Sequence, residues 1–201
     1  MNLSETAITY LNDLLKGNPK VLISTHYNPD GDAIGSSLAL YHFLISIGIK
    51  AEVLIPNDLP SFLQWMPGIE KATVYTNNEV VGDALISDTE LIFCMDYNGL
   101  NRVKLFTDKL RSSTATRVLI DHHVEPENEF DLAFSVTSVS STAELLYHIL
   151  IQTGLCKEIS REMAECLFVG IMTDTGSFSY SCNHSETFEI VGKLIDKCID
   201  L

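Results

Sequence analysis

Long apolar runs are missing: none of the 201 residues lies in a stretch near the roughly 18 that a spanning helix requires. The start, Met1-Asn2-Leu3-Ser4-Glu5, has neither a basic region nor an apolar one, so no secretory signal is visible. Cysteine is sparse and unpaired in pattern. The five residues Cys94, Cys156, Cys166, Cys182 and Cys198 are odd in number and contain no Cys-x-x-Cys. That favours reduced thiols, hence a cytoplasmic location, over a disulfide framework or a zinc knuckle. Basic residues are few, 13 against 27 acidic, and the net charge is −14. Long nucleic acid needs several Lys or Arg on its phosphates, so a long duplex fits poorly, whereas a small anion bound through metal ions is compatible. Repeats, low-complexity tracts and linkers are absent. What remains, 46% apolar and 20% charged residues, is an ordinary globular composition of one-domain length.

Residues 4–15 carry apolar positions at helical spacing and predict an amphipathic helix. A short strand at 20–25, a helix over 33–47 stopped by Gly48, and a strand at 51–55 follow. The connection 56–68 bears prolines and the lone Trp65, read as a loop anchor. Strands are expected at 72–75 and 91–96, a helix over 100–110, and strands at 116–122 and 132–136. Ser141-Thr142-Ala143-Glu144 has capping-box spacing and opens a helix to about Gln152, closed by Gly154. Helices over 160–172 and 185–199 complete the chain. Strands alternating with helices predict an α/β fold, a mostly parallel sheet flanked by helices on both faces. An end in or just after a helix hints at one piece of a longer protein.

Three of these strands stop on metal-competent residues. Val21-Leu22-Ile23-Ser24-Thr25 runs into His26-Tyr27-Asn28-Pro29-Asp30-Gly31-Asp32, Leu91-Ile92-Phe93-Cys94-Met95 into Asp96, and Val118-Leu119-Ile120 into Asp121-His122-His123. Open α/β sheets bind ligands at that carboxyl edge. Pro29 and Gly31 supply a tight turn, and carboxylates as close as Asp30 and Asp32 need a cation. The competing reading has Asp32 only capping the next helix and His26 on a surface loop. Consecutive residues of an extended chain face opposite ways, so of His122 and His123 one binds metal and the other faces substrate. Asp121 can orient the site from behind. Asp174, in Gly170-Ile171-Met172-Thr173-Asp174-Thr175-Gly176-Ser177-Phe178, falls where an apolar helix breaks into a turn and joins the candidates. His42, His148 and His184 read as packed or solvated, and Cys94 as a buried small hydrophobe. The helix start at Ser141 and Thr142 either caps itself or receives a phosphate.

His-x-x-x-Asp-x-Asp, an Asp-ended strand, Asp-His-His and Gly-x-x-x-Asp-Thr-Gly, in this order, resemble the DHH phosphoesterase superfamily over residues 20–180. Within it, the loop from His26 to Ser36, the segment Phe62-Leu63-Gln64-Trp65-Met66-Pro67-Gly68 and the run Ser140-Ser141-Thr142-Ala143-Glu144 are similar to the nano-RNase and phosphoadenosine-phosphate phosphatase branch. The resemblance implies one metal held by His26, Asp30 and Asp96, and a second held by Asp32, Asp96, His122 and Asp174, with Asp96 bridging. His123, with Asp121 behind it, would serve the scissile phosphate or its leaving group. That branch adds a DHHA1 domain with a Gly-Gly-Gly-His segment. None occurs here, so residues 1–201 are expected to be the DHH catalytic domain alone.

Carboxylate and imidazole ligands without thiolate suit two Mn²⁺ ions, with Mg²⁺ or Co²⁺ as substitutes. Two ions about 3.5–4 Å apart can bridge a hydroxide and clamp the attacking and leaving oxygens. The implied function is hydrolysis of short oligoribonucleotides from the 3′ end, of 3′,5′-bisphosphoadenosine, or of both, by a monomer or homodimer away from membranes. The alternatives are a linear or cyclic dinucleotide phosphodiesterase, a family II inorganic pyrophosphatase and a non-catalytic metal-binding module. A long-DNA exonuclease of the RecJ kind is disfavoured by the charge.

Overall fold

A six-stranded sheet in the order β3-β2-β1-β4-β5-β6 organises the computed structural model, which describes residues 1–199. Asp200 and Leu201, the last two residues of the expected domain, lie outside the described residues. In chain order the elements are α1 (Glu5–Lys16), β1 (Val21–Ser24), α2 (Gly31–Ser46), β2 (Ala51–Ile55), β3 (Thr73–Val74), α3 (Glu79–Asp88) and β4 (Leu91–Met95). After them come α4 (Thr107–Ser112), β5 (Thr116–Asp121), β6 (Leu132–Ser135), α5 (Thr142–Thr153), α6 (Arg161–Asp174) and α7 (Ser185–Ile195). All five strand pairings are parallel, so the expected α/β architecture holds. Among the described residues no helix is long and apolar enough to cross a membrane.

Strand alternation sorts the core into two layers. Val21, Ile23, Val53, Phe93, Met95, Val118 and Ile120 face one side, where buried residues of α1, α2, α5, α6 and α7 cover them. Leu22, Leu54, Ile92, Cys94 and Leu119 face the other, against Ile86 of α3 and Leu110 of α4. Strands buried on both faces explain why the sequence shows continuous apolar runs there rather than alternation.

Three expectations fail locally. Helix α3 lies in a stretch without a predicted element, because Glu79–Asp88 carries Val80, Val81, Gly82 and Ile86, all weak helix formers. Its start is set by Asn78, whose side chain accepts the Val81 N–H at 3.2 Å. The continuous helix expected over 100–110 is instead a 3₁₀ turn, Leu100–Val103, and the short α4, separated by Lys104 at φ 58°. Helix α7 also stops at Ile195, short of the expected 199.

The layer on the larger side depends on close backbone contact between α2 and α6. A Cβ on Gly35 would stand 2.5 Å from the Cys166 carbonyl oxygen and 2.9 Å from the Gly170 nitrogen. A Cβ on Gly170 would meet Ala143 Cβ at 2.5 Å and Asp32 Oδ1 at 2.9 Å. The obstacles at Gly35 are backbone atoms, so the helices must part to admit even one carbon. Overpacking of this kind costs about 1–3 kcal/mol, and each kcal/mol is worth about 2–4 °C in a chain of this size. Gly35→Ala is therefore expected to lower Tm by roughly 2–12 °C in a calorimetric scan. An unchanged Tm would show that the α2–α6 contact yields without penalty.

Candidate metal centre

Each functional side chain is delivered by the end of an element. Strand β1 stops at Ser24, and the turn that follows puts His26 in the interior and Asp30 at the start of α2. His26 Nδ1 lies 2.9 Å from the Tyr27 carbonyl oxygen, which makes it the protonated nitrogen and frees Nε2 to face Asp30 and Asp96. Asp30, not Asp32, is the N-cap of α2: its Oδ1 accepts the Asp32 and Ala33 N–H groups at 3.1 and 3.0 Å. The capping reading of Asp32 is thereby corrected. Asp32 lies inside the first turn, fully buried, and points at another helix.

That helix is α5. Asp32 Oδ2 accepts the Thr142 N–H at 2.6 Å and Oδ1 the Ala143 N–H at 2.9 Å. The Thr142 hydroxyl donates to Asp96 Oδ1 at 2.7 Å, and Ser141 Oγ takes the Glu144 N–H at 3.0 Å as the capping box predicts. The first N–H groups of α5 are thus committed to protein partners, so this helix start is not the phosphate receptor considered from sequence. Asp96, one residue past β4, adopts φ 63°, a left-handed conformation that Asp tolerates better than most residues. Its N–H bonds the Ile120 carbonyl at 3.0 Å, and its side chain turns inward to 2% exposure.

The three strand ends and the end of α6 meet around Asp96. Its Oδ2 stands 3.7 Å from His26 Nε2, and its Oδ1 stands 3.7 Å from His122 Nε2. His26 Nε2 is also 3.9 Å from Asp30 Oδ1. His122 Nε2 is 3.9 Å from Asp32 Oδ2 and 3.3 Å from Asp174 Oδ2. Three overlapping groups of donors result, His26–Asp30–Asp96, Asp32–His122–Asp174 and Asp96–His122–His123, with one oxygen of Asp96 turned toward each of the first two. Most of these separations are too long for hydrogen bonds. They match ligands sharing one ion, because metal–ligand bonds of about 2.0–2.2 Å place two donors about 3–4 Å apart. The residues present therefore fit divalent cations.

His122 and His123 do not point to opposite sides. Strand β5 ends at Asp121, so the alternation rule stops before them, and the two rings lie 4.8 Å apart at the same site. They remain inequivalent: His123 Nδ1 is 2.7 Å from Asp121 Oδ1 and 3.8 Å from Asp96 Oδ1. Asp121 is buried, holds the His123 ring by Oδ1, and has no hydrogen-bond partner for Oδ2 among the described residues.

The protonation pattern reflects crowded negative charge. Burial and the charges of Asp96 and Asp174 raise the Asp32 pKa well above the ordinary carboxylate value, against the two α5 N–H groups. Burial and the neighbouring carboxylates Asp96 and Asp30 raise Asp174 too, although His122 opposes them. Burial pulls His26 down, but Asp30 and Asp96 outweigh it and carry the metal-free imidazole to about 10. Burial works against Asp30 as well, yet His26 and the Ala33 and Asp32 N–H groups lower it. Asp121 raises His123.

Other sequence expectations divide. Cys94 is buried, and His42 Nε2 bonds the Pro67 carbonyl at 2.9 Å, a packing role. Trp65 is not the loop anchor: it is 55% exposed, while Leu63 and Met66 are buried. Thr142, which ties Asp96 to α5, was missed because only its helix-capping neighbourhood is visible in sequence.

The sequence profile described as the DHH family, N-terminal domain, matches residues 20–171. A protein of Streptococcus mutans named as a probable bifunctional oligoribonuclease and PAP phosphatase, NrnA, is 25% identical over 181 residues, which cover 90% of this chain and 54% of that protein. The solved structure of an exopolyphosphatase-related protein from Bacteroides fragilis superposes with a TM-score of 0.95 at 38% identity, covering 98% of this chain and 58% of that one. Exonuclease RecJ bound to manganese shares the fold, with a TM-score of 0.62 at 16% identity over 98% of this chain and 48% of that one. The chain thus spans about half the length of these relatives.

Asp174 provides a test of the electrostatics in metal-free protein. Its folded pKa is raised, so the stability it contributes is full below the unfolded value near 3.8 and is lost as pH rises through the folded value. Asp174→Asn mimics the protonated acid. Without metal, the variant is expected to melt above the wild type at pH 7, with the gap closing near pH 4. A lower Tm at pH 7 would mean that the His122 contact outweighs the burial and repulsion.

Proposed function

The chain belongs to the DHH family, and from that membership and the acidic cluster we propose that it is a metal-dependent phosphoesterase acting on short oligoribonucleotides and 3′,5′-bisphosphorylated adenosine. One observation carries the reading: Asp96 presents one oxygen to each of two donor groups, the arrangement a carboxylate needs to serve two cations at once. In this proposal His26, Asp30 and Asp96 hold one divalent ion, and Asp32, His122 and Asp174, again with Asp96, hold the other. Oxygen and imidazole donors without thiolate favour Mn²⁺, with Mg²⁺ or Co²⁺ as substitutes. Bound ions of this kind supply Lewis acidity and an activated water at neutral pH.

The chain's own residues do the rest. Asp32 and Asp96 are fixed by α5, so the donor groups need little rearrangement to receive their ions, and such preorganisation favours charge stabilisation. Asp121 commits His123 Nδ1 and raises the pKa of the ring. His123 Nε2 is then left to give a proton to the departing oxygen, and its 37% side-chain exposure permits contact with a substrate. Neither a serine nor a cysteine nucleophile is required. The substrate classes are supported by the likeness to the bifunctional oligoribonuclease and PAP phosphatase.

Hydrolysis of a diribonucleotide and of 3′,5′-bisphosphoadenosine with Mn²⁺ tests the proposal. Asp96→Ala should abolish turnover and, by calorimetry, the binding of both ions. His123→Gln should lower kcat about 10²–10⁴-fold, the usual contribution of a proton donor, while leaving metal binding intact. Retention of two-ion binding by Asp96→Ala would sink the bridging role. An undiminished kcat in His123→Gln would remove the proton donor.

A further inference from the structure

The ladder between β1 and β4 ends at the Ser24–Cys94 pair, just before both chains turn into the metal centre. His26 lies two residues past that end on one chain, and Asp96 two residues past it on the other. Their facing atoms, His26 Nε2 and Asp96 Oδ2, are 3.7 Å apart. Hydrogen bonds still join the two chains beyond the ladder. At the rim, the Tyr27 N–H donates to the Arg102 carbonyl at 2.8 Å. Beneath the site, Ser24 Oγ and the Tyr97 hydroxyl meet at 2.5 Å. The second bond joins the residue that leads into His26 to the residue that follows Asp96.

Both partners of this bond are wholly buried, and Tyr97 packs in the smaller core layer with Leu22, Ile92 and Leu119. A phenylalanine would fill the same apolar space without a hydroxyl that has to find a partner. A neutral hydrogen bond adds little net stability, and two apolar groups of the same shape can replace its partners at almost no cost. Stability alone therefore does not account for the polar pair. Its effect is geometric. Asp96 sits at φ 63°, a strained conformation that persists only where the surroundings over-determine it. The Asp96 N–H is held by Ile120 of β5, and its Oδ1 by the Thr142 hydroxyl of α5. Those contacts fix Asp96 against β5 and α5. The Ser24–Tyr97 bond fixes the next residue against β1, the strand that delivers His26.

We propose that Ser24 and Tyr97 are positioning residues: their hydrogen bond sets the separation of His26 from Asp96, and with it the affinity of the ion that these two residues and Asp30 hold. The inference rests on the two-ion reading of the site and adds to it the residues that govern one ion. Neither side chain is exposed, so neither meets substrate. Groups that orient metal ligands from behind carry about 10–100-fold in metal affinity. The effect is one-sided. Asp96 Oδ1, the oxygen facing His122, has its own tie to Thr142, and Asp32 is held by the Thr142 and Ala143 N–H groups. Loss of the Ser24–Tyr97 bond frees His26 to move relative to Asp96 and leaves Asp32, His122 and Asp174 in place.

Calorimetric titration with Mn²⁺ of the wild type, Ser24→Ala, Tyr97→Phe and the double variant tests this, with His26→Ala marking which ion is which. Each single variant is expected to weaken the ion that His26→Ala loses by about 10–100-fold and to leave the other ion unchanged. The double variant should lose no more affinity than either single one, because all three lack the same bond. It should also recover the Tm that the single variants lose by stranding one buried hydroxyl. A purely structural pair would move Tm without separating the two ions. In the diribonucleotide assay, the Mn²⁺ concentration for half-maximal turnover should rise while kcat at saturating Mn²⁺ holds. Losses that add in the double variant, equal weakening of both ions, or wild-type affinity in the double variant would overturn the positioning role alone. A wild type that binds fewer than two ions would overturn the two-ion reading, and this inference with it.

Discussion

A buried carboxylate capping a helix from outside its own chain segment holds this molecule together at its working end. Asp32 is wholly buried, and both of its oxygens are taken by the Thr142 and Ala143 N–H groups at the start of α5. A charge placed there without partners would cost several kcal/mol. The helix N-terminus offers partial positive charge and unsatisfied donors, and Asp32 meets both needs at once. The bond spans 110 residues of sequence and ties α2 to α5. Gly35 and Gly170 allow α6 to close against the same pair. Asp32, Asp96 and Asp174 are brought into one cluster by this packing and not by any local motif.

Such a cluster opposes the stability of the fold in the absence of cations. Asp32 and Asp174 both resist ionisation because burial and mutual repulsion act in the same direction. His26, His122 and His123 face these carboxylates, and His26 is held protonated far above its ordinary range. The region is therefore built around charge it does not itself contain, which is the pattern of a site shaped for cations. Some of the departures from relaxed backbone fall close to it. Asn28, Asp96 and Lys104 all adopt positive φ on the loops around the cluster.

The substrate reading follows from the same electrostatics. An acidic molecule can attract a phosphate ester only where cations or unpaired basic groups reverse its field. The donor groups around Asp96 offer the place for such cations. His123 stands beside these donor groups, held by Asp121.

The strands, the parallel α/β architecture and all eight candidate side chains were legible in the sequence, because short apolar runs ending in His or Asp leave a strong local mark. Strands buried on both faces must be continuously apolar, and the residue after each run is where a ligand can be met. Helix α3 was not legible, since its β-branched residues and Gly82 carry weak propensity and tertiary contact alone sustains it. Nor was the break at Lys104, a strained turn that only flanking buried residues can enforce. The assignment of Asp30 as the cap and Asp32 as the inter-helix partner required the fold, because both residues suit either role in isolation. The same holds for the facing of His122 and His123: alternation governs a strand, and the strand had already ended. Local chemistry thus named the groups. Only the packing of α2, α5 and α6 decided which oxygen faces which nitrogen, since those distances depend on residues far apart in the chain.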